Sequence, residues 1–393
     1  MMLVEADGKR LLHEAGIAVP PGRCWSSPDA ALPVAGTGPW MAKAQVPVGG
    51  RGKAGGVRPV PDTAQLHETL AAMFGLHIKG HVVREVLVEQ QIGHGATEHY
   101  LAILVDAGSG ALRLLYTARG GMDVESIGFA GDEGFSQAFS PDAAALQGAI
   151  EALAATVPAT LRAGLVDVAR RLGSLVLAQQ LLLAEINPLF ADDAGHWVAG
   201  DAKVVIDMNA VPRQPALRSL LTERQAMYPD AWRKLSEDFD FVEIDPDGRV
   251  GLVTTGAGLS MMLIDELVAQ GVSPFNFCDM RTGQMRGSPA RLLLILDWLA
   301  QARDVRVLLV NIFAGITDLS EFTQLLVDAL RARPGFRRPV VARLVGNGQA
   351  AAQRIVADHP DLGIRFEPDL EAAITLTKAL LQASAPSEDG RAD

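Results

Sequence analysis

Two kinds of apolar spacing divide the chain. From residue 250 onward, short runs of Val, Leu and Ile alternate with stretches whose apolar positions recur at helical spacing. The runs predict strands over Val250–Thr254, Val305–Phe313, Val340–Leu344 and Ile364–Glu367. The intervening stretches predict helices over Ser260–Gln270, Pro289–Ala302, Asp318–Ala332, Gln349–Asp358 and Asp369–Leu381. Alternating βα units of this length build a parallel, doubly wound sheet. Before Tyr228 strands outnumber helices: Trp40–Ala44, Val57–Val60, Glu85–Gln90, Tyr100–Asp106, Leu112–Tyr116 and a hairpin over Leu181–Asp207. That is a mixed α+β region. The first residues read as a short amphipathic helix, not a signal peptide. The boundary is expected between Tyr228 and Gly248, where a charged stretch leads into the turn residues Asp245–Gly248. This gives domains at 1–238 and 239–383, and a polar tail at 384–393 expected to be disordered.

At 393 residues, two or three domains are expected. Apolar residues make up 49% and the net charge is −11, which fits an α/β enzyme and argues against nucleic acid or an anionic membrane as the main partner. No apolar run reaches membrane-spanning length. Only Cys24 and Cys278 are present, so neither a disulfide framework nor a zinc site is indicated, and a cytoplasmic location is expected.

The Leu181–Asp207 hairpin carries the first candidate chemistry. Folding it about Asp192–Gly195 sets Asn187 opposite Asp201, with Glu185 on the face of Asn187 and Lys203 on that of Asp201. An amide oxygen and a carboxylate with a second acid nearby suit Mg²⁺, which completes its shell with water and phosphate. Taken alone, the segment also reads as a polar hairpin edge. Lys43, at the end of a strand, is followed by a loop containing Gly49, Gly50, Gly52, Gly55 and Gly56 with Arg51 and Lys53. Glycines let backbone N–H groups approach an anion and the cations neutralise it, although the P-loop consensus is not met. Glu89 and Glu98 stand at a strand end and a strand start, where an acid can accept from a ribose or amino group, or lie solvated on the surface. His94 and His99 are expected in a linker and read as surface residues. In the C-terminal half, turns through Gly256 and Gly258, and through Gly315 with Thr317 or Asp318 as N-cap, are shaped like anion sites at helix N-termini. They also read as capped turns with no ligand.

Taken in this order, the segments resemble the β subunit of the succinate–CoA ligase family. The likeness runs through Gly49–Gly56, Leu87–Glu89, Glu98–Leu101, Gly120–Glu125, Glu185–Leu189, Asp201–Lys203, Gly256–Leu259 and Asn311–Ile316. It implies an ATP-grasp N-terminal region followed by a flavodoxin-like doubly wound domain. It further implies that ATP or GTP, Mg²⁺, CoA and a carboxylic acid interconvert with acyl-CoA, nucleoside diphosphate and phosphate. An acyl phosphate forms on the way, and the phosphoryl group is carried on a histidine of an α subunit that also holds most of the CoA site. The chain is thus expected to be half of an αβ or α2β2 enzyme. By motif, Lys43, Gly50, Arg51, Gly52, Glu89 and Glu98 hold the nucleotide, and Asn187 and Asp201 ligate Mg²⁺. Glu185 orients the phosphohistidine, while Thr255, Gly315, Ile316 and Thr317 meet the acid substrate.

Departures bear on the acid. Thr255 stands where the family usually has Asn, and Cys278-Asp-Met-Arg-Thr-Gly283 replaces Leu-Asp-Val-Gly-Gly-Gly, so Arg281 and Thr282 replace two glycines. Ala314 is similar to the malate–CoA ligase branch. Arg281 can pair with an extra carboxylate or hydroxyl of the acid, or lie on the surface. Succinate is the first expectation, with malate or another substituted dicarboxylate as the alternative. A nucleotide-binding regulatory subunit without turnover is the competing class.

Overall fold

The computed structural model describes residues 1–30, 38–93, 95–121, 134–285, 287–315 and 317–384. His94, Met122–Glu125 and Ile316 lie outside them, as does the expected tail beyond Ser384. The chain divides into two compact units between Leu220 and Leu221. Among the described residues, no helix is long and apolar enough to cross a membrane.

The first unit opens with α1 (Glu5–Glu14), then β1 (Gly22–Trp25), β2 (Trp40–Ala44), β3 (Val57–Val60), α2 (Leu66–Met73), β4 (His77–Ile78), β5 (His81–Val82) and β6 (Val86–Gln90). β1, β6, β2 and β3 form an antiparallel sheet in that order, closed by Trp40, Leu70, Met73 and Val88. There follow β7 (Thr97–Asp106), β8 (Ala111–Thr117), β9 (Phe135–Phe139), α3 (Ala143–Thr156), α4 (Ala159–Gln179), β10 (Leu181–Ala191), β11 (Trp197–Ala199), β12 (Lys203–Ile206) and α5 (Pro215–Glu223). The second sheet runs β11-β10-β7-β8-β9, with β12 continuing along β10. Pairs Glu185↔Lys203 and Leu189↔Ala199 bracket the middle of the hairpin, so counting inward from either sets Asn187 opposite Asp201. The expected register holds, although the second arm is two short strands interrupted at Gly200–Ala202. Helices α3 and α4 escape the apolar pattern because alanine and leucine occur on several of their faces, which blurs the helical period.

The second unit contains α6 (Pro229–Glu237), β13 (Asp240–Glu243), β14 (Val250–Thr254), α7 (Ala257–Ala269), β15 (Asn276–Asp279), α8 (Ala290–Gln301), β16 (Val307–Ala314), α9 (Leu319–Ala332), β17 (Val340–Gly346), α10 (Gln349–Ala357), β18 (Ile364–Phe366) and α11 (Leu370–Ala383). Strands β14, β16, β17 and β18 pair in parallel. β15 runs beside β14, with Phe275 N–H on Val250 O at 2.8 Å and Met280 N–H on Thr254 O at 3.0 Å. The order β15-β14-β16-β17-β18 is flavodoxin-like, and its switch point lies between β14 and β16. Side chains alternate across β16. Leu308, Val310 and Ile312 pack with α8 and α9, whereas Val307 and Leu309 pack with α7 and α11. The sheet is therefore covered on both faces, as the βα periodicity predicts.

The division falls ahead of the Tyr228–Gly248 stretch for a physical reason. The charged run belongs to α6, whose Arg233 guanidinium lies 5.4 Å from the Phe241 ring centroid and 5.1 Å from that of Trp298. Its charge is packed onto second-unit aromatics instead of lining a linker. At the far end, Asp369 caps α11 by accepting the Ala372 N–H at 2.9 Å. Asp369→Ala is expected to cost about 1 kcal/mol in urea unfolding; a loss below about 0.3 kcal/mol would show the cap to be idle.

Candidate active site

Helix α1 turns its charged residues inward. Glu5 and Lys9, one helical turn apart, are both buried. Around Glu5 gather three cations: Lys9 of its own helix, Lys43 of β2 and Arg51 of the glycine loop. Its Oε1 accepts from Lys9 and from Lys43, each at 2.8 Å, and its Oε2 accepts from Arg51 at 2.7 Å. Lys9 and Lys43 also donate to Glu89, at 2.6 and 2.7 Å, and both reach the Gly200 carbonyl, at 2.9 and 2.7 Å. Arg51 completes the cluster on Asp201 Oδ1 at 3.1 Å. Three cations thus face three carboxylates.

Burial in such a cluster is tolerable only because each charge has a partner. Burial opposes the charge on Lys43, but Glu5, Glu89 and Asp201 together raise its pKa above the usual lysine range. For Glu5 too, burial favours the neutral form, yet Lys43, Lys9 and Arg51 hold its carboxyl well below the usual carboxylate range. Asp201 behaves differently. Burial first, and Glu5 beside it, raise its pKa against the pull of Arg51 and the lysines. Its side chain keeps 35% exposure, so it is the most exposed carboxylate of the cluster.

The glycine loop contributes Arg51 to this cluster. Arg51 precedes a single 3₁₀ turn, Gly52–Ala54, ended by Gly55 in the left-handed region at φ +73°. A Cβ on Gly49, Gly52 or Gly55 would meet no described atom within 4 Å, so the backbone faces open space. On the hairpin, Asn187 Oδ1 accepts the Gly121 N–H at 2.8 Å. Gly121 is also where Glu98 leans: a Cβ there would collide with Glu98 Oε2. Glu185 lies 3.6 Å from Lys203 Nζ, and burial raises its pKa while Lys203 opposes the shift. Asn187 and Asp201 suit a hard divalent ion. Both offer oxygen, they face each other in register, and Asp201 already carries a cationic guanidinium at hydrogen-bond distance. Among the described residues no group of three His, Cys, Asp or Glu would hold a metal alone, so an ion here would draw its remaining ligands from phosphate and water.

In the second unit, the strand C-termini gather three loops. Gly256, at φ +83°, opens α7 and donates its N–H to Asp279 Oδ1 at 2.9 Å. Asp318, not Thr317, is the N-cap of α9, accepting from Ser320 N–H at 2.8 Å. Thr255, Thr282 and Thr317 meet there, Thr282 Oγ1 lying 3.4 Å from Thr255 Oγ1 and 3.2 Å from Thr317 Oγ1. Arg281 turns to Asp238 at 3.0 Å and Asp240 at 3.4 Å.

A family model described as an ATP-grasp domain matches residues 2–191. The β subunit of ADP-forming succinate–CoA ligase from Halobacterium salinarum is 33% identical over 384 residues, covering 95% of this chain and 97% of that one. The chain belongs to the succinate–CoA ligase β subunit family. A second succinate–CoA ligase β subunit, the GDP-forming one from Thermus thermophilus, is 32% identical over 365 residues, covering 92% and 94%. ADP- and GDP-forming succinate–CoA ligases thus stand at nearly the same distance. Among solved structures, ATP citrate lyase from Methanothrix soehngenii, in complex with citrate and coenzyme A, matches with a TM-score of 0.68 at 18% identity, over 98% of this chain and 99% of that one. That likeness is one of fold: an ATP-grasp region followed by a flavodoxin-like domain.

Of the residues expected from the succinate–CoA ligase motifs, Lys43, Arg51, Glu89 and Asp201 lie in one cluster, and Gly50 and Gly52 flank Arg51 in the chain. Asn187, Glu185 and Glu98 lie along the neighbouring strands. Glu89 is buried with both oxygens on lysines, so it sits with the cations and not on a solvated strand end. His99 corrects the reading of a surface linker: it is buried in β7, stacked on Tyr116, with Nδ1 2.9 Å from the Tyr116 hydroxyl. Sequence reasoning missed Glu5, Lys9 and Gly200, and it marked Thr282 only as a departure from the family pattern. An acid and a lysine four residues apart signal only an ordinary helix-surface pair, and nothing in the sequence marks a backbone carbonyl as a lysine acceptor.

Proposed function

We propose that this chain is the nucleotide-activating β subunit of an NDP-forming carboxylate–CoA ligase, working with an α subunit in an αβ or α2β2 assembly. The observation that carries the reading is the Lys43–Arg51–Asp201 cluster, which takes Arg51 from an open glycine loop, with Asn187 across the hairpin from Asp201. In this reading Lys43 and Arg51 neutralise phosphate oxygens while the loop N–H groups donate to them. Asn187 and Asp201 would hold Mg²⁺, which would supply further neutralisation of the phosphate charge. Glu185, with its raised pKa and its tie to Lys203, orients the incoming phosphohistidine of the α subunit. Glu89 holds the two lysines in place, and Glu98 borders the nucleotide near Gly121. Thr255, Gly315 and Thr317, at the flavodoxin-like switch point, receive a small dicarboxylate, and Ile316 joins them by motif alone. Succinate is the first candidate, and Thr255 and Ala314 favour a substituted relative as the second.

The test is co-expression with an α-type chain bearing a histidine in a glycine-rich loop. CoA thioester formation from a panel of dicarboxylic acids is then measured with ATP and with GTP. Thioester that requires nucleotide, Mg²⁺ and CoA together is expected. A complex that binds nucleotide but forms no thioester with any acid would leave a regulatory subunit as the better account.

A further inference from the structure

We infer that Lys9 is a positioning residue: it is the second counter-ion that frees Lys43 to turn from the buried carboxylates to a nucleotide phosphate. The inference rests on the nucleotide reading above and deepens it.

Lys9 and Lys43 share one set of acceptors. Lys9 Nζ donates to Glu5 Oε1 at 2.8 Å, to the two Glu89 oxygens at 2.7 and 2.6 Å, and to the Gly200 carbonyl at 2.9 Å. Lys43 Nζ donates to the same Glu5 oxygen at 2.8 Å, to Glu89 Oε1 at 2.7 Å and to the same carbonyl at 2.7 Å. An ammonium has three donors, so both lysines are already fully engaged. Lys43 can therefore neutralise a phosphate only by leaving carboxylates whose side chains are 0% and 3% exposed. A carboxylate buried to that degree and stripped of its cation is costly.

Lys9 removes that cost. When Lys43 turns away, Glu5 keeps Lys9 and Arg51, and Glu89 keeps Lys9 on both of its oxygens. The Gly200 carbonyl, next to Asp201 in the chain, keeps Lys9 as well. Were Lys9 absent, Glu89 would depend on Lys43 alone among the described residues, and Lys43 would be tied down.

The fold also decides which lysine stays. Lys9 stands one turn after Glu5 on α1, so the helix itself holds the pair together, and its side chain is 5% exposed. Lys43 belongs to β2, which the glycine loop joins to β3, and its side chain is 10% exposed. The lysine on the loop's own strand is the more accessible of the two.

The test uses the αβ complex and measures Kd and KM for Mg-nucleotide, with kcat for thioester formation. Lys9→Met is expected to raise Kd and KM about 10–100-fold and to leave kcat within about 3-fold, because the cost falls on the bound ground state and transition state alike. Removing the stranded charge should remove the penalty. In a Glu89→Gln background, Lys9→Met is therefore expected to change Kd by no more than about 3-fold. Lys9→Gln, which keeps a donor for the Gly200 carbonyl, reads the same split should the methionine variant fail to fold. A folded Lys9 variant with unchanged Kd confines Lys9 to stability and overturns the inference. An equal loss in both backgrounds also overturns it, since Lys9 would then touch the phosphate itself. Either result leaves the nucleotide reading standing, whereas a wild-type complex that binds no Mg-nucleotide removes that reading.

Discussion

Replacing Asp201 by asparagine is expected to slow nucleotide-dependent thioester formation by about 10²–10³-fold, and to raise the Mg²⁺ concentration needed for half-maximal rate. Asparagine preserves the side-chain shape, so the hairpin pairs Glu185↔Lys203 and Leu189↔Ala199 should survive. What disappears is the anionic charge opposite Asn187. Asp201 is the most accessible acid of the cluster, and among the described residues Arg51 is the side-chain cation at hydrogen-bond distance from it, at 3.1 Å. Its loss therefore disturbs the fold less than it disturbs a bound cation. A titration of rate against Mg²⁺ separates the alternatives. An unchanged midpoint with an unchanged maximum would remove Asp201 from the metal site and with it the main support for the nucleotide assignment.

Glu5→Gln is expected to destabilise the first unit by about 3–5 kcal/mol, because removing one member of a buried ionic set strands its partners. Here three cations, Lys9, Lys43 and Arg51, share the one carboxylate, whose side chain has 0% exposure. The pH dependence has a definite sign. The folded-state pKa of Glu5 is depressed, so its stabilisation is fully present above the unfolded carboxylate pKa of ~4.3 and is lost as pH falls toward the folded value. Urea unfolding of wild type and Glu5→Gln from pH 7 down to pH 3 should therefore show curves that converge on the acid side. Parallel curves, or a difference below about 1 kcal/mol at pH 7, would mean that the cations find other partners.

The C-terminal sheet was legible because β14 and β16–β18 are short, apolar and separated by helices of clear period, and because parallel strands buried on both faces leave little alternative. β15 was not, since Asn276-Phe-Cys-Asp279 has the length of a turn and is recognisable as a strand only beside β14. The register that sets Asn187 opposite Asp201 was legible from strand alternation and one turn. The cluster that supports them was not, because Lys9 and Lys43 converge on Glu5 and Glu89 from three separate elements, and no local pattern encodes that meeting. Glu5, Lys9 and His99 share one lesson: a polar residue buried among partners distant in sequence looks, along the chain, like a residue in water.

The balanced cluster also governs how a triphosphate would be captured. Three positive and three negative groups within a few ångströms cast almost no field beyond their own perimeter. Such a pocket does not draw polyanions from afar, and its selectivity begins only on arrival. There, a ligand that brings its own divalent cation can exchange it for the Arg51 guanidinium at Asp201, whereas a bare polyanion must compete with carboxylates already seated. Discrimination for the metal-loaded nucleotide over the free one is then a matter of swapping counter-ions, with no separate recognition element required.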